Sequence, residues 1–157
     1  NEPIDLENLL KEVLGFLGKE AEYRNLDITL SVTDDLPTLN SDRGQLQQVF
    51  LNILNNALAA VEDGGRIDIE AVSLDDDRIA VSVTDDGVGI SEDNLERIFE
   101  PFFTTKDGVG TGLGLSITYG IVNKLGGHID VDSQRGQGTR FTVLLPTARQ
   151  GEPPWTT

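Results

Sequence analysis

Apolar and polar residues alternate along this chain with two distinct periods. Leu6, Leu9, Leu10, Val13, Leu14, Leu17 and Ala21 recur at the spacing of one helix face, with Asp5 placed to cap the start and Glu7 in the first turn. Ile28, Leu30 and Val32 then alternate with Thr29 and Ser31, as in a half-buried strand, until Asp34-Asp35-Leu36-Pro37 breaks the pattern. A second stripe, Leu46, Val49, Phe50, Ile53, Leu54, Ala57 and Val61, predicts a helix from Ser41 to about Val61, stopped by Gly64-Gly65. Ile67, Ile69 and Ala71 alternate again, as do Ile79, Val81 and Val83, and the short acidic stretch between them predicts an antiparallel hairpin.

A glycine-rich, aromatic-containing stretch runs from Asp85 to Gly114, with a short helix predicted over Ser91 to Arg97. A connection of that length is usually functional or disordered. Leu113, Ile117, Ile121 and Leu125 mark a further helix ended by Gly126-Gly127, and strands around Ile129–Val131 and Phe141–Leu145 flank Gly136-Gln137-Gly138. The order α-β-α-β-β-loop-α-β-β lacks regular βαβ alternation and predicts an α+β two-layer sandwich. One domain is expected over residues 1–149, followed by a mobile tail over 150–157 that contains Trp155.

Composition narrows the function. The 157 residues suffice for one domain with a real core. Twelve Lys plus Arg against 27 Asp plus Glu give a net charge of −15, a field that repels phosphate backbones, so no nucleic-acid partner is expected. Acidic side chains cluster at Asp34-Asp35 and Asp75-Asp76-Asp77, between predicted strands, and this charge reads mostly as solvated loop. Without cysteine, neither disulfides nor thiolate metal sites can form. No apolar run approaches the ~20 residues that span a bilayer, and a soluble, cytoplasmic piece is expected, whatever anchors its parent protein.

Four elements could carry chemistry. Asn52 and Asn56 lie four apart on the polar face of the second helix, a placement that fits either solvent exposure or a shared polar ligand. Asp85-Asp86-Gly87-Val88-Gly89-Ile90 follows directly on a strand and offers a fixed carboxylate beside backbone that a flat ring can approach, although an acidic turn would look the same. Phe99-Glu100-Pro101-Phe102-Phe103-Thr104-Thr105-Lys106 places aromatics, hydroxyls and a cation ahead of Gly108-Val109-Gly110-Thr111-Gly112-Leu113-Gly114-Leu115, which opens the next helix. Backbone N–H groups at such a helix start form an anion site, but neither the Gly-Lys-Ser/Thr nor the dinucleotide-fold signature is present.

In this order the four elements resemble the N box, first glycine box, F box and second glycine box of histidine-kinase catalytic domains. The resemblance extends from Pro3-Ile4-Asp5-Leu6, through Asp42-Arg43-Gly44-Gln45-Leu46-Gln47-Gln48-Val49, to Gly136-Gln137-Gly138-Thr139-Arg140-Phe141. It implies the Bergerat ATP-binding fold: a mixed, mostly antiparallel sheet backed by helices, with ATP under a mobile lid. It further implies that Asp85 accepts from the adenine amino group, that Asn56 supplies an oxygen to Mg²⁺ and that Asn52 faces the phosphates. Gly110, Gly112 and Gly114 would present N–H groups to the phosphates, with Lys106 as the cation for the γ-phosphate. Gly87, Gly89, Ile90, Phe99, Thr105, Thr111 and Leu113 complete the implied nucleotide contacts.

Two departures limit the transfer: Ala59 stands where many relatives carry a base three residues after the Mg-binding asparagine, and the lid between Lys106 and Gly110 is short, as in a nitrogen-regulator-like subgroup. Members of the superfamily that hydrolyse ATP carry a glutamate at the position of Asn52, which cannot take a proton. The implied activity is therefore transfer of the γ-phosphate to a histidine on an upstream dimerisation and acceptor domain, which passes it to a response regulator. His128, the single histidine, opens a strand and reads as structural, so the acceptor is expected outside this chain, which should be monomeric. A non-catalytic ATP-sensing module and a gyrase- or chaperone-type ATPase are the alternatives.

Overall fold

This computed structural model describes residues 1–75, 77–100 and 114–147. A five-stranded mixed sheet is covered on one face by helices, the architecture that the element order predicts. The strands are β2 (Asp27–Val32), β4 (Arg66–Asp75), β5 (Arg78–Asp85), β6 (His128–Gln134) and β7 (Gly138–Pro146), in the spatial order β2-β4-β5-β7-β6. β1 (Glu2–Ile4) and β3 (Leu39–Ser41) form a separate antiparallel pair. The helices are α1 (Leu6–Tyr23), α2 (Arg43–Ala60), the short α3 (Glu92–Leu95) and α4 (Gly114–Lys124).

Each long helix begins where its sequence caps it. The Asp5 carboxylate accepts from the Asn8 backbone amide at 3.3 Å, and Asp42 accepts from Gln45 at 3.1 Å, so α2 starts at Arg43, two residues beyond the predicted start. The α2 stripe is fully buried: Leu46, Val49, Phe50, Ile53, Leu54 and Ala57 meet the inner face of the sheet, where Ile67, Ile69, Val81, Val83, Phe141 and Val143 point. α2 lies against β5 and β7, with α1 and α4 on its two sides. It is the central helix of the layer.

The hairpin of β4 and β5 is antiparallel as predicted, but β2 joins β4 in parallel, Asp27 opposite Arg66. Periodicity carries no strand direction; α2 supplies the crossover that parallel pairing requires. At this junction the Thr29 hydroxyl and then Arg66 hold the Asp68 carboxyl below the usual carboxylate range. The β1–β3 pair is also new, since three-residue strands leave too short a pattern to read. It closes the base of α1 and α2 with Ile4 and Leu39, each 1% exposed. None of the described helices is long and apolar enough to cross a membrane.

Because Ile4 is buried, the N-terminal strand belongs to the core. Ile4→Ala should lower the unfolding free energy by about 2–4 kcal/mol in urea denaturation. A loss under about 0.5 kcal/mol, typical of a surface site, would show the strand to be peripheral.

Candidate functional site

Two of the sequence-predicted groups sit on one face of α2. Asn52, Asn56 and Ala60 are spaced by four, so they line a single side of the helix over roughly 12 Å of its axis. At one end the Asn52 amide nitrogen donates to the Gly114 carbonyl at 3.2 Å and to the Thr118 hydroxyl at 3.1 Å, while its oxygen accepts from Gln48 at 2.7 Å. Asn52 is thereby tied to the first turn of α4. Thr118, fully buried, completes the knot by donating back to the Gly114 carbonyl at 2.8 Å.

At the other end of that face the Ala60 carbonyl accepts from the Val88 amide at 3.1 Å. A Cβ at Gly87 would fall on this carbonyl, so only glycine lets the loop after β5 lie against the helix. The second side of the loop rests on the end of β6 and its turn to β7. There the Gly136 amide donates to the Val88 carbonyl at 2.7 Å, and Ile90 donates to the Ser133 hydroxyl, also at 2.7 Å. Gly89, at φ +73°, sits where a Cβ would strike the Gln134 carbonyl.

Asp85 ends the central strand β5, in register with Ile67 on one side and Thr139 on the other. It is a buried carboxylate, 4% exposed, and it accepts from the Gly87 amide at 2.8 Å. That bond turns the chain out of the strand. Gly138, at φ +126°, lets β7 pass so close that a Cβ would meet the Asp85 carbonyl.

Asn56 lies between the two anchored ends of the α2 face, half-buried and without a side-chain hydrogen bond among the described residues. The described residues contain no cluster of three or more His, Cys, Asp or Glu able to hold a metal. A Mg²⁺ ion here would have to combine a neutral amide oxygen with ligands from a bound phosphate and water, which suits its reluctance to dehydrate.

Of the other expected contacts, Gly87, Gly89 and Ile90 belong to the clamped loop, and Phe99 stacks on Tyr119 of α4 with ring centroids 5.1 Å apart. Gly114 opens α4 beside Asn52. Thr105, Lys106, Gly110, Thr111, Gly112 and Leu113 lie outside the described residues. His128 opens β6 on the sheet edge, exposed, with Asp130 at 2.9 Å from its Nε2. Sequence reasoning gave no role to Ala60, Thr118, Ser133 or Gly138. Only the Gly136-Gln137-Gly138 motif carried a signal.

An open cleft of about 460 Å³ lies beside the Gly87 loop, lined by Ala60, Glu62, Asp63, Asp86, Val88 and neighbouring glycines. Neither Asn56 nor Asp85 faces it, and its three carboxylates disfavour an anionic ligand. The α2 face with Asp85 is the candidate site.

The close pass at Gly138 yields a comparison of two glycines in one turn. Gly136→Ala, with φ +86° and open space around it, should cost about 1–2 kcal/mol in chemical denaturation. Gly138→Ala should cost at least about 3 kcal/mol, because strain and overlap with Asp85 add. Equal losses would show that β7 can retreat from Asp85.

Comparison with known proteins agrees with this geometry. Residues 41–149, more than half of the chain, match the family described as histidine kinase-, DNA gyrase B- and HSP90-like ATPase. Sporulation kinase E of Bacillus subtilis is 40% identical over 144 residues, covering 92% of this chain and 19% of that protein. The chain spans less than a third of the curated relatives it matches. The catalytic domain of histidine kinase ThkA superposes with a TM-score of 0.84 at 32% identity, covering 92% of this chain and 94% of that one. Full-length ShkA in complex with AMPPNP superposes with a TM-score of 0.84 at 35% identity, over 93% of this chain and 31% of that one. With Asp85 at the strand end, the asparagine face of α2 and these matches together, this chain belongs to the histidine kinase-, DNA gyrase B- and HSP90-like ATPase family, as a catalytic domain of the sensor histidine kinase type.

Proposed function

We propose that this domain binds Mg-ATP along the Asn52–Asn56–Ala60 face of α2 and transfers the γ-phosphate to a histidine on a separate dimerisation and acceptor domain, from which a response regulator receives it. The observation that carries the reading is the placement of a buried carboxylate, Asp85, beside a loop fastened to one end of this face, with α4 fastened to the other end. The adenine amino group donates to Asp85, and the triphosphate runs along the helix towards Asn56 and the start of α4. Support for the ligand comes from ShkA, whose structure contains AMPPNP.

Each residue has a chemical part. The Asn56 amide oxygen is the protein's ligand to Mg²⁺, which when bound neutralises charge on the phosphate oxygens. Asn52 acts through α4: its two donated bonds hold Gly114 and Thr118, and so the helix start whose N–H groups favour an anion. With three of its hydrogen-bonding positions occupied and no proton-accepting carboxylate, Asn52 cannot activate water. The nucleophile is a neutral imidazole, whose lone pair forms the N–P bond as the β–γ bridging P–O bond breaks and ADP leaves. Lys106 is assigned the γ-phosphate by resemblance.

Base selectivity tests the role of Asp85. Guanine presents a carbonyl oxygen where adenine has its amino group, so ATP should bind at least ~100-fold more tightly than GTP in calorimetry. Asp85→Asn should lose most of that preference. Equal affinity for both nucleotides in the wild type would remove the assignment.

Transfer is tested with the acceptor domain in trans. The 157-residue chain alone should acquire no acid-labile label from ATP, while a supplied acceptor domain should become labelled weakly, because the covalent link that raises effective concentration is missing. Asn56→Asp should suppress the label by at least about tenfold, since a new negative charge beside the triphosphate disturbs the placement of Mg²⁺. Label on the isolated chain that vanishes in His128→Ala would overturn the proposal.

A further inference from the structure

The C-terminal turn of α2 is held from outside by a residue that no motif singles out. α2 has no basic residue in its last turn, where the helix dipole leaves partial negative charge on unpaired carbonyls. Arg24, at the end of α1, supplies the cation. Its Nη1 donates to the Leu58 carbonyl at 2.8 Å and its Nη2 to the Val61 carbonyl at 2.7 Å. Its Nε donates to Asp63 at 2.7 Å, and Nη1 also reaches Glu20 at 3.3 Å. The Arg24 carbonyl in turn accepts from the Gly64 amide at 2.9 Å. The side chain is only 18% exposed, so this is not a loose surface ion pair.

Between the two carbonyls gripped by Arg24 lies the Ala60 carbonyl, which accepts the Val88 amide and against which Gly87 is pressed. Gly87 in turn donates to Asp85. A shift of this turn by a few tenths of an ångström would move the loop, because at Gly87 there is no slack to absorb it. The planar guanidinium fork suits this position, since two of its N–H groups fix the two carbonyls in direction as well as distance, which a lysine cannot do.

We infer that Arg24 is a positioning residue for base recognition, setting through the last turn of α2 the geometry in which Asp85 meets the adenine ring. This rests on the assignment of adenine to Asp85 above. Arg24 touches no nucleotide; it acts by fixing Ala60, and its loss affects the base end of the site and not the phosphate end, where Asn52 and α4 provide an independent tie.

The experiment measures ATP and GTP binding by calorimetry at low temperature for the wild type, Arg24→Gln, Arg24→Lys and Asp63→Ala, with Val88 amide exchange followed by NMR. Arg24→Gln should weaken ATP by about tenfold while GTP, which gains nothing from Asp85, changes less than about twofold, and Val88 exchange should accelerate. Arg24→Lys should rescue little of the ATP affinity. Asp63→Ala, at an exposed site that leaves the fold intact, should move ATP affinity in the same direction by about two- to threefold. A lower thermal midpoint with unchanged ATP affinity, or equal weakening of both nucleotides, would overturn the inference and leave Arg24 a stability residue. Asp85→Asn binding ATP as the wild type does would instead overturn the base-site assignment, and this inference with it.

Discussion

The Ala60 carbonyl accepts the Val88 amide and excludes any side chain from Gly87, and the site depends on this one close contact between the end of α2 and the loop after β5. A helix end is a good place to make it. Its last carbonyls have no partners within the helix and must find donors elsewhere. Here Leu58 and Val61 find them in Arg24 and Ala60 finds one in the loop, so the need to satisfy a helix terminus also sets the position of the loop that leaves Asp85.

α2 can serve this purpose because its two faces are independent. The apolar stripe from Leu46 to Ala57 is sealed against β5 and β7, which fixes the rotation of the helix. Fixed rotation presents Asn52, Asn56 and Ala60 along one half-buried flank of the helix in known order. At Asn52 the face meets α4 and at Ala60 the strand-end loop, so the distance between a base end and a phosphate end is set by helix geometry rather than by loops.

A net charge of −15 is an unusual background for a domain proposed to hold a triphosphate. The carboxylates are largely elsewhere: Asp34 and Asp35 lie exposed beyond β2, Asp68 is paired with Thr29 and Arg66, and Asp75 with Arg78. Among the described residues, the buried Asp85 lies at the end of the proposed site assigned to a base, not a phosphate. With Ala59 in place of a cation, the proposed anion relies on Mg²⁺ at Asn56 and on backbone N–H groups at a helix start.

The sequence by itself determined the helices α1 and α2, the Asp5 cap of the first, the hairpin of β4 and β5, and the residues that bear chemistry, because those signals are local: a period, a cap, a motif. It also identified Asn52 as a group that cannot act as a base, since that follows from residue type alone. Tertiary structure decided what depends on distant pairing. The parallel register of β2 with β4 and the β1–β3 pair leave no periodic trace, and Arg24 reads in sequence as an ordinary charge at a helix end. The commitment of Asn52 to Gly114 and Thr118, the pressure of β7 on Asp85 at Gly138 and the grip of Arg24 on α2 each join residues far apart in the chain. Hydrogen-bond partners and excluded volume exist only once the backbone has closed around them, which is why the residues of the site were legible and their anchoring was not.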